Sequence, residues 1–214
     1  IFVLLYDRGT FMLSRNFSLQ KVGDLDWLKK NYDFCRVAFS IDELIILDVS
    51  REDRDEEKFR EHVRSLSEEC FIPIAAGGGI RNVEHAQKLL YSGADKIVVN
   101  WLLAKDKDAI KKIASKFGHQ CLVASVDVKK IGDELRCFVE NGTTMLSASL
   151  SEYLEDIMLL PIGELYLNSI DRDGTGQGYD YDLLDSLPTP MHIPIILAGG
   201  AGKYTHLIEG LNNS

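Results

Sequence analysis

The chain repeats itself at long range. Ile72-Pro73-Ile74 returns as Ile193-Pro194-Ile195, Gly78-Gly79 as Gly199-Gly200, and Glu43-Leu44 as Glu164-Leu165, every pair 121 positions apart. Such a period is too long for a solenoid, whose repeats span about 20–50 residues. Short apolar runs alternate with amphipathic segments inside each half, so the pattern predicts a (β/α)₈ TIM barrel made of two half-barrel repeats. With 214 residues, 45% of them apolar, the chain is long enough to bury one sizeable core, and residues 1–214 are expected to form a single barrel domain.

Strands are expected over residues 1–6, 43–49, 72–76, 96–99, 121–128, 164–167 and 193–197. Helices are expected over 25–36, 56–69, 83–91, 108–116, about 152–160, 181–187 and from 204, with Gly93 closing the third. Residues 7–24 read as a long polar loop. Alternation and a Gly132-Asp133 turn predict a β-hairpin over 129–139. Seven strands leave unpaired edges in a barrel, so an eighth strand and helix are expected beyond Ser214, with a few residues before Ile1.

The formal net charge of −9 and a sequence pI near 5.1 lack the basic stripe of a nucleic-acid binder. The charge run from Arg51 to Arg60 mixes both signs and reads as a solvated loop and helix start. Cys35, Cys70, Cys121 and Cys137 show no CxxC spacing and lie in apolar contexts, which favours buried thiols in a reducing compartment over disulfides or a metal site. No apolar stretch approaches about 18 residues, and no charged-then-apolar leader opens the chain. The expectation is a cytoplasmic protein with no membrane span, no metal and no cofactor.

Barrels of this type keep their chemistry at the C-terminal ends of the strands. Those ends carry Leu5 and Asp7, Asp48, Gly77 to Gly79, Asn100, Asp127, the loop Ser169-Ile170-Asp171-Arg172-Asp173-Gly174-Thr175, and Ala198 to Gly200. Asp48 and Asp127 end strongly apolar strands, where a raised pKa suits a carboxyl to acid or base work; each could equally cap a following loop. Gly78-Gly79 and Gly199-Gly200 let backbone amides approach an anion ahead of a helix, as a substrate with two phosphate ends would require, although tight βα turns use the same glycines. At the opposite rim Glu43, Lys96 and Glu164 open strands two, four and six. Alternate strands share a layer, so these charges are expected to meet in a ring, one cation short, unless they face water.

Several motifs together are more specific: Ile41-Asp42-Glu43-Leu44 with Leu47-Asp48, Gly77-Gly78-Gly79-Ile80, Gly93-Ala94-Asp95-Lys96, Asp127-Val128-Lys129, the 169–175 loop, and Gly199-Gly200-Ala201-Gly202-Lys203. They resemble the cyclase subunit of imidazole glycerol phosphate synthase, the HisF family, a (β/α)₈ barrel related to the phosphoribosyl-formimino isomerase of histidine synthesis. The resemblance implies a barrel that draws ammonia from a glutaminase (HisH-like) subunit on its bottom face, through a charged gate matching Glu43, Lys96 and Glu164. The family's gate arginine would fall just before Ile1. The resemblance also implies a phosphorylated small-molecule substrate, bound through Asp48, Gly78, Gly79, Asn100, Ser169, Asp173, Gly174, Thr175, Gly199 and Gly200.

Of the family's two catalytic aspartates, one matches Asp127 and the other falls on Leu5, with Asp7 the nearby carboxylate that could stand in. A family lysine falls on Leu13, a serine on Ala198, and a phosphate-binding threonine on Trp101. Two readings follow. The first is the histidine-pathway cyclase, which makes imidazole glycerol phosphate. The second is a paralogue of surface-polysaccharide gene clusters, associated with sugar amidation, which also carries Leu in place of the first Asp. The loss of that Asp favours the second. A non-enzymatic binding module on the same fold is the remaining alternative.

Overall fold

The structure is a computed structural model that describes residues 1–37 and 39–213. Its scaffold is seven parallel strands in chain order: β1 (Phe2–Asp7), β4 (Leu44–Asp48), β5 (Ile74–Gly77), β6 (Lys96–Val99), β7 (Leu122–Ile131), β10 (Glu164–Ser169) and β11 (Ile195–Ala198). Each pairs with the next, and helices α3 (Glu56–Glu69), α4 (Val83–Leu90), α6 (Lys107–Phe117) and α7 (Leu150–Met158) make crossovers between them. This is the (β/α)₈ barrel plan with seven of its strands among the described residues. Among the described residues β11 pairs on one side alone, and its four residues are only half-buried, whereas β5 is buried throughout.

The repeat in sequence is a repeat in structure. Leu44 N donates to Pro73 O at 3.0 Å, and 121 positions on Leu165 N donates to Pro194 O at 3.0 Å. Each proline-headed strand thereby fixes the register of its neighbour in the same way.

Period-2 alternation splits each strand between two cores. Ile45, Ala75, Val98, Val123 and Tyr166 pack together inside the barrel. Their sequence neighbours, such as Leu44, Ile46, Ile97 and Leu165, face the helices in the larger cluster. α3 shows why those helices form. Asp55 caps it by accepting from Lys58 N, Glu56 and Glu57 suit its positive first turn, and Phe59, His62, Val63 and Leu66 make one buried stripe.

Four expectations need correcting. Residues 7–24 form a β-hairpin, β2 (Thr10–Arg15) with β3 (Ser18–Gly23), rather than a loop. It is entered through Arg8 and Gly9, both at positive φ as a tight two-residue turn requires, with Thr10 opposite Asp7. The expected helix 25–36 breaks after Asn31 into α1 (Leu25–Asn31) and α2 (Phe34–Val37). The hairpin over 129–139 is present but continues into a third strand: β7 pairs with β8 (Glu134–Val139), and β8 with β9 (Thr144–Ser149). Tyr181–Ser186 is a 3₁₀ turn, and a short α5 (Trp101–Lys105) precedes α6. Chain order ends with α8 (Tyr204–Asn212), which buries no residue.

Cys70, Cys121 and Cys137 are buried, as expected, and Cys121 and Cys137 form no disulfide among the described residues; the side chain of Cys35 lies outside the described residues. Among the described residues no helix is long and apolar enough to cross a membrane.

Candidate active site at the C-terminal ends of the strands

Alternation decides which side chains reach the barrel axis. On β4, β6 and β10 the inward residues, from bottom to top, are Glu43, Ile45 and Leu47, then Lys96, Val98 and Asn100, then Glu164, Tyr166 and Asn168. β1 contributes Leu5 and β7 contributes Ser125 and Asp127. A cavity of about 1760 Å³ runs along the flank between β1 and β11, from Ile1, Ser40 and Ile193 at the bottom to the C-terminal strand ends at the top. Leu5, Leu47, Asn100, Ser125, Asp127 and Asn168 all line it.

Asp127 sits at its polar centre. Asn168 Nδ2 donates to its Oδ1 at 2.9 Å and Asn100 Nδ2 approaches its Oδ2 at 3.4 Å. The carboxyl keeps a little surface on the cavity but is surrounded by protein, and this burial pushes its pKa up to about 6. The Asn168 hydrogen bond opposes that rise, and the nearby charge of Asp173 adds to it. Asp127 therefore titrates close to neutral pH, where a proton-transfer group is most useful.

The repeat identifies the counterpart of Asp127 in the first half. Asp127 is opposite Asn168, and Leu5 is opposite Leu47, 121 positions before Asn168. Leu5 and Leu47 thus occupy the places that Asp127 and Asn168 hold in the second half. The mouth has one polar side and one apolar side.

The remaining expected site residues divide by orientation. Asn100, Asp48, Gly78, Gly79, Asp173, Gly174, Gly199 and Gly200 line the cavity. Asp7, Ser169 and Thr175 are not among its lining residues. Asp7 pairs with Arg8 at the hairpin turn, Nε to Oδ1 3.0 Å. Ser169 is 1% exposed and donates its hydroxyl to Asp180 Oδ2 at 2.9 Å. Thr175 donates to Arg172 O at 2.7 Å, which closes its own loop.

Asp48 is only partly available. It is buried, Arg54 Nε lies 2.9 Å from its Oδ2, and Ser50 N donates to its Oδ1 at 2.9 Å. Burial raises its pKa, while Ser50 and Arg54 counter the rise. Asp173 accepts from Ser14 Oγ of the β2–β3 hairpin, and Phe17 N of the hairpin turn donates to Asp173 O at 3.2 Å, so the hairpin is tied down across the mouth.

The glycine loops are dictated first by packing. A Cβ at Gly78 would collide with the Asp48 carbonyl, and one at Gly199 would stand 2.6 Å from the Ser169 carbonyl. Asp48 and Ser169 are again 121 apart. Both glycines have φ near +100°, at 107° and 89°, which a side chain resists.

At the other end of the barrel, Lys96 Nζ donates to Glu43 Oε2 at 2.8 Å and to Glu164 Oε1 at 2.6 Å. Burial alone would lower the lysine pKa, but the two carboxylates outweigh it and raise the value. Glu43 Oε1 and Glu164 Oε2 are buried without a hydrogen-bond partner among the described residues. The three charges meet, are withdrawn from water, and carry one uncompensated negative charge.

Residues that sequence reading passed over are Asn168, Ser125, Tyr166, Arg54 and Arg81. Inward register along β7 and β10 was the signal for the first three. No local pattern announced the arginines.

Comparison with known proteins agrees with this architecture. Residues 35–214 match the family model described as histidine biosynthesis protein. Over 211 residues the chain is 47% identical to a Parasynechococcus marenigrum (strain WH8102) protein named provisionally as imidazole glycerol phosphate synthase subunit hisF2, covering 99% of this chain and 78% of that one. It is 40% identical over 169 residues to the imidazole glycerol phosphate synthase subunit HisF of Chlorobium phaeobacteroides (strain DSM 266 / SMG 266 / 2430), covering 79% of this chain and 67% of that one. The HisF of Chlorobaculum parvum (strain DSM 263 / NCIMB 8327) is 41% identical over the same length and shares. With one half-barrel pair repeated in sequence, register and contacts, and with these relatives, the chain belongs to the HisF group of the histidine biosynthesis protein family.

Proposed function

We propose that this barrel is the ammonia-using subunit of a glutamine amidotransferase pair, acting on a phosphorylated substrate, in a paralogous role that amidates a surface-polysaccharide sugar. The observation that carries the reading is the division of charge along the barrel axis: Glu43, Lys96 and Glu164 at the bottom, and Asp127 as the inward carboxylate on the top layer. Ammonia released beneath the charged ring would reach Asp127 along the barrel axis, past the interior layer of Ile45, Ala75, Val98, Val123 and Tyr166. From Lys96 to Asn100, which touches Asp127, is four residues of strand, about 13 Å at the usual rise. The αβ loops at that bottom end expose Phe39, Phe71, Tyr91 and Leu159, apolar surface of the kind a glutaminase partner would cover.

In the proposed step the nitrogen lone pair of ammonia attacks an electrophilic carbon of the acceptor. Asp127 takes a proton from the attacking nitrogen and returns it to the departing oxygen, which leaves as water. Its near-neutral pKa suits both halves of that transfer.

The paralogous role rests on Leu5. The family's acid/base pair has one member here, and Asp7 is turned to Arg8 at the hairpin. The alternative, the histidine-pathway cyclase, is supported by the 40–41% identity to HisF proteins.

The gate reading is tested by Lys96→Ala, with Glu164→Gln as a variant that leaves no unpaired buried charge of its own making. Turnover driven by glutamine and the glutaminase should fall well below turnover driven by free ammonia. Equal losses in both assays, in a protein that still folds, would sink the reading.

A further inference from the structure

The two glycine loops repeat in backbone but differ in the charge they offer an anion. In the second half the loop runs Gly199-Gly200-Ala201-Gly202-Lys203, with no side chain bulkier than a methyl before Lys203. In the first half the position matching Gly202 is Arg81, which lines the cavity.

The polar groups around the first loop are largely committed. Asn82 caps α4 by accepting from His85 N at 2.8 Å. Asn100 gives its amide to Ser125 O at 3.1 Å and to Asp127. Arg54 is spent on Asp48 and on Ser50 O, the latter at 2.6 Å. Arg81 makes no hydrogen bond or ion pair among the described residues; its guanidinium lies over the Trp101 ring, 4.1 Å from the centroid. Trp101 in turn packs against the hydrophobic core. An aromatic ring fixed on its core side and covered by an arginine on another holds that arginine in one place while leaving its N–H donors free. Arg51 also lines the cavity without a partner among the described residues, and like Arg81 it is exposed, but no aromatic ring holds it in place.

We propose that Arg81, positioned by Trp101, is the anion-binding residue of the first glycine loop, where it receives a phosphate group of the substrate through its guanidinium fork. The proposal deepens the reading of a phosphorylated substrate and rests on it. It also gives Trp101 a role in specificity. A hydroxyl at that position could only donate one hydrogen bond, whereas Trp101 brings a full charge to the site through Arg81. Glu140, on the turn between β8 and β9, interacts electrostatically with Arg81 and would compete with the anion.

The chain has two tryptophans, Trp27 and Trp101, so Trp27→Phe leaves Trp101 as the single fluorescent reporter beside Arg81. The full chain carrying Trp27→Phe is titrated with inorganic phosphate and with glycerol 3-phosphate, at constant ionic strength set by chloride. A saturable change in Trp101 emission is expected. Adding Arg81→Gln should weaken binding about 10-fold or more, as the loss of a charge-assisted fork does. Arg51→Gln should change it little, and Glu140→Gln should strengthen it. In parallel, amide shifts of Gly199 and Gly200 report the second loop. Phosphate that perturbs Gly199 and Gly200 while Arg81→Gln leaves Trp101 binding intact would overturn the role of Arg81 alone. Binding at neither loop would overturn the phosphorylated-substrate reading with it.

Discussion

One-residue differences in orientation separate the side chains that matter from those that only stand near them. Asp127 was legible in the sequence as a carboxylate ending an apolar strand, and the structure turns it inward. Ser169 looked equally promising in its loop, but it is one position past the inward Asn168 and so points at Asp180 behind the sheet. Asp7 belongs to a turn whose register could be seen only in Arg8-Gly9, too weak a signal beside a run of polar residues. Burial of Asp127 sets a clear expectation. A carboxyl whose pKa is raised from 3.8 to about 6 holds its proton more tightly folded than unfolded, so stability is lost as pH rises through that window and the full cost stands above it. Asp127→Asn should therefore melt no lower than the wild type at pH 7, with any advantage shrinking as pH falls from about 6 and gone below about pH 4. The same variant should lose roughly 10²-fold or more in turnover, together with the acidic limb near pH 6 that a base of this pKa gives the wild-type profile. A variant that melts lower yet keeps its turnover would make Asp127 a structural residue.

Elements were read best where the repeat spoke twice. The strands headed by Ile72-Pro73-Ile74 and Ile193-Pro194-Ile195 fell in place because each proline carbonyl anchors the preceding strand. The β2–β3 hairpin and the third strand β9 are not legible in the sequence because their faces are half-exposed and carry little apolar alternation. Among the turns, Gly78 and Gly199 do the same job: a positive φ at close range to the carbonyl that ends the previous strand. Gly78→Ala and Gly199→Ala should each cost more than about 1 kcal/mol, from strain and collision together. In a chain of this size that is a fall of at least about 2 °C in Tm. Gly132→Ala is the control, since its φ is also positive but no atom lies within 4 Å of the added carbon. Losses no larger at Gly78 and Gly199 than at Gly132 would show that close packing does not fix these loops.

The whole molecule is a barrel whose two ends differ in chemistry. The bottom ring of Glu43, Lys96 and Glu164 was foreseeable from strand-opening positions in alternate strands, and the structure brings the three within hydrogen-bond distance. Its deficit of one positive charge, visible in two orphaned carboxylate oxygens, is a property of the assembled ring and of no single residue. At the top end the pseudo-twofold plan is broken: Asp127 and Asn168 in one half face the apolar Leu5 and Leu47 in the other. Family membership and the family aspartate that falls on Leu5 are both legible in the motifs; what the register adds is that Leu5 is the structural counterpart of Asp127. A barrel altered in this way keeps its bottom ring and, at the top, a carboxyl in one half opposite a leucine in the other.

The most direct test supplies full-length protein with ammonia and the phosphoribulosyl-formimino ribotide of histidine synthesis, and follows formation of imidazole glycerol phosphate beside a Leu5→Asp variant. An acid/base pair reduced to one member forfeits roughly 10²- to 10⁴-fold. Turnover by the wild-type chain should be negligible, and Leu5→Asp should show a measurable rate. Wild-type turnover of about 1 s⁻¹ or faster, an ordinary enzyme rate, would contradict the paralogous role.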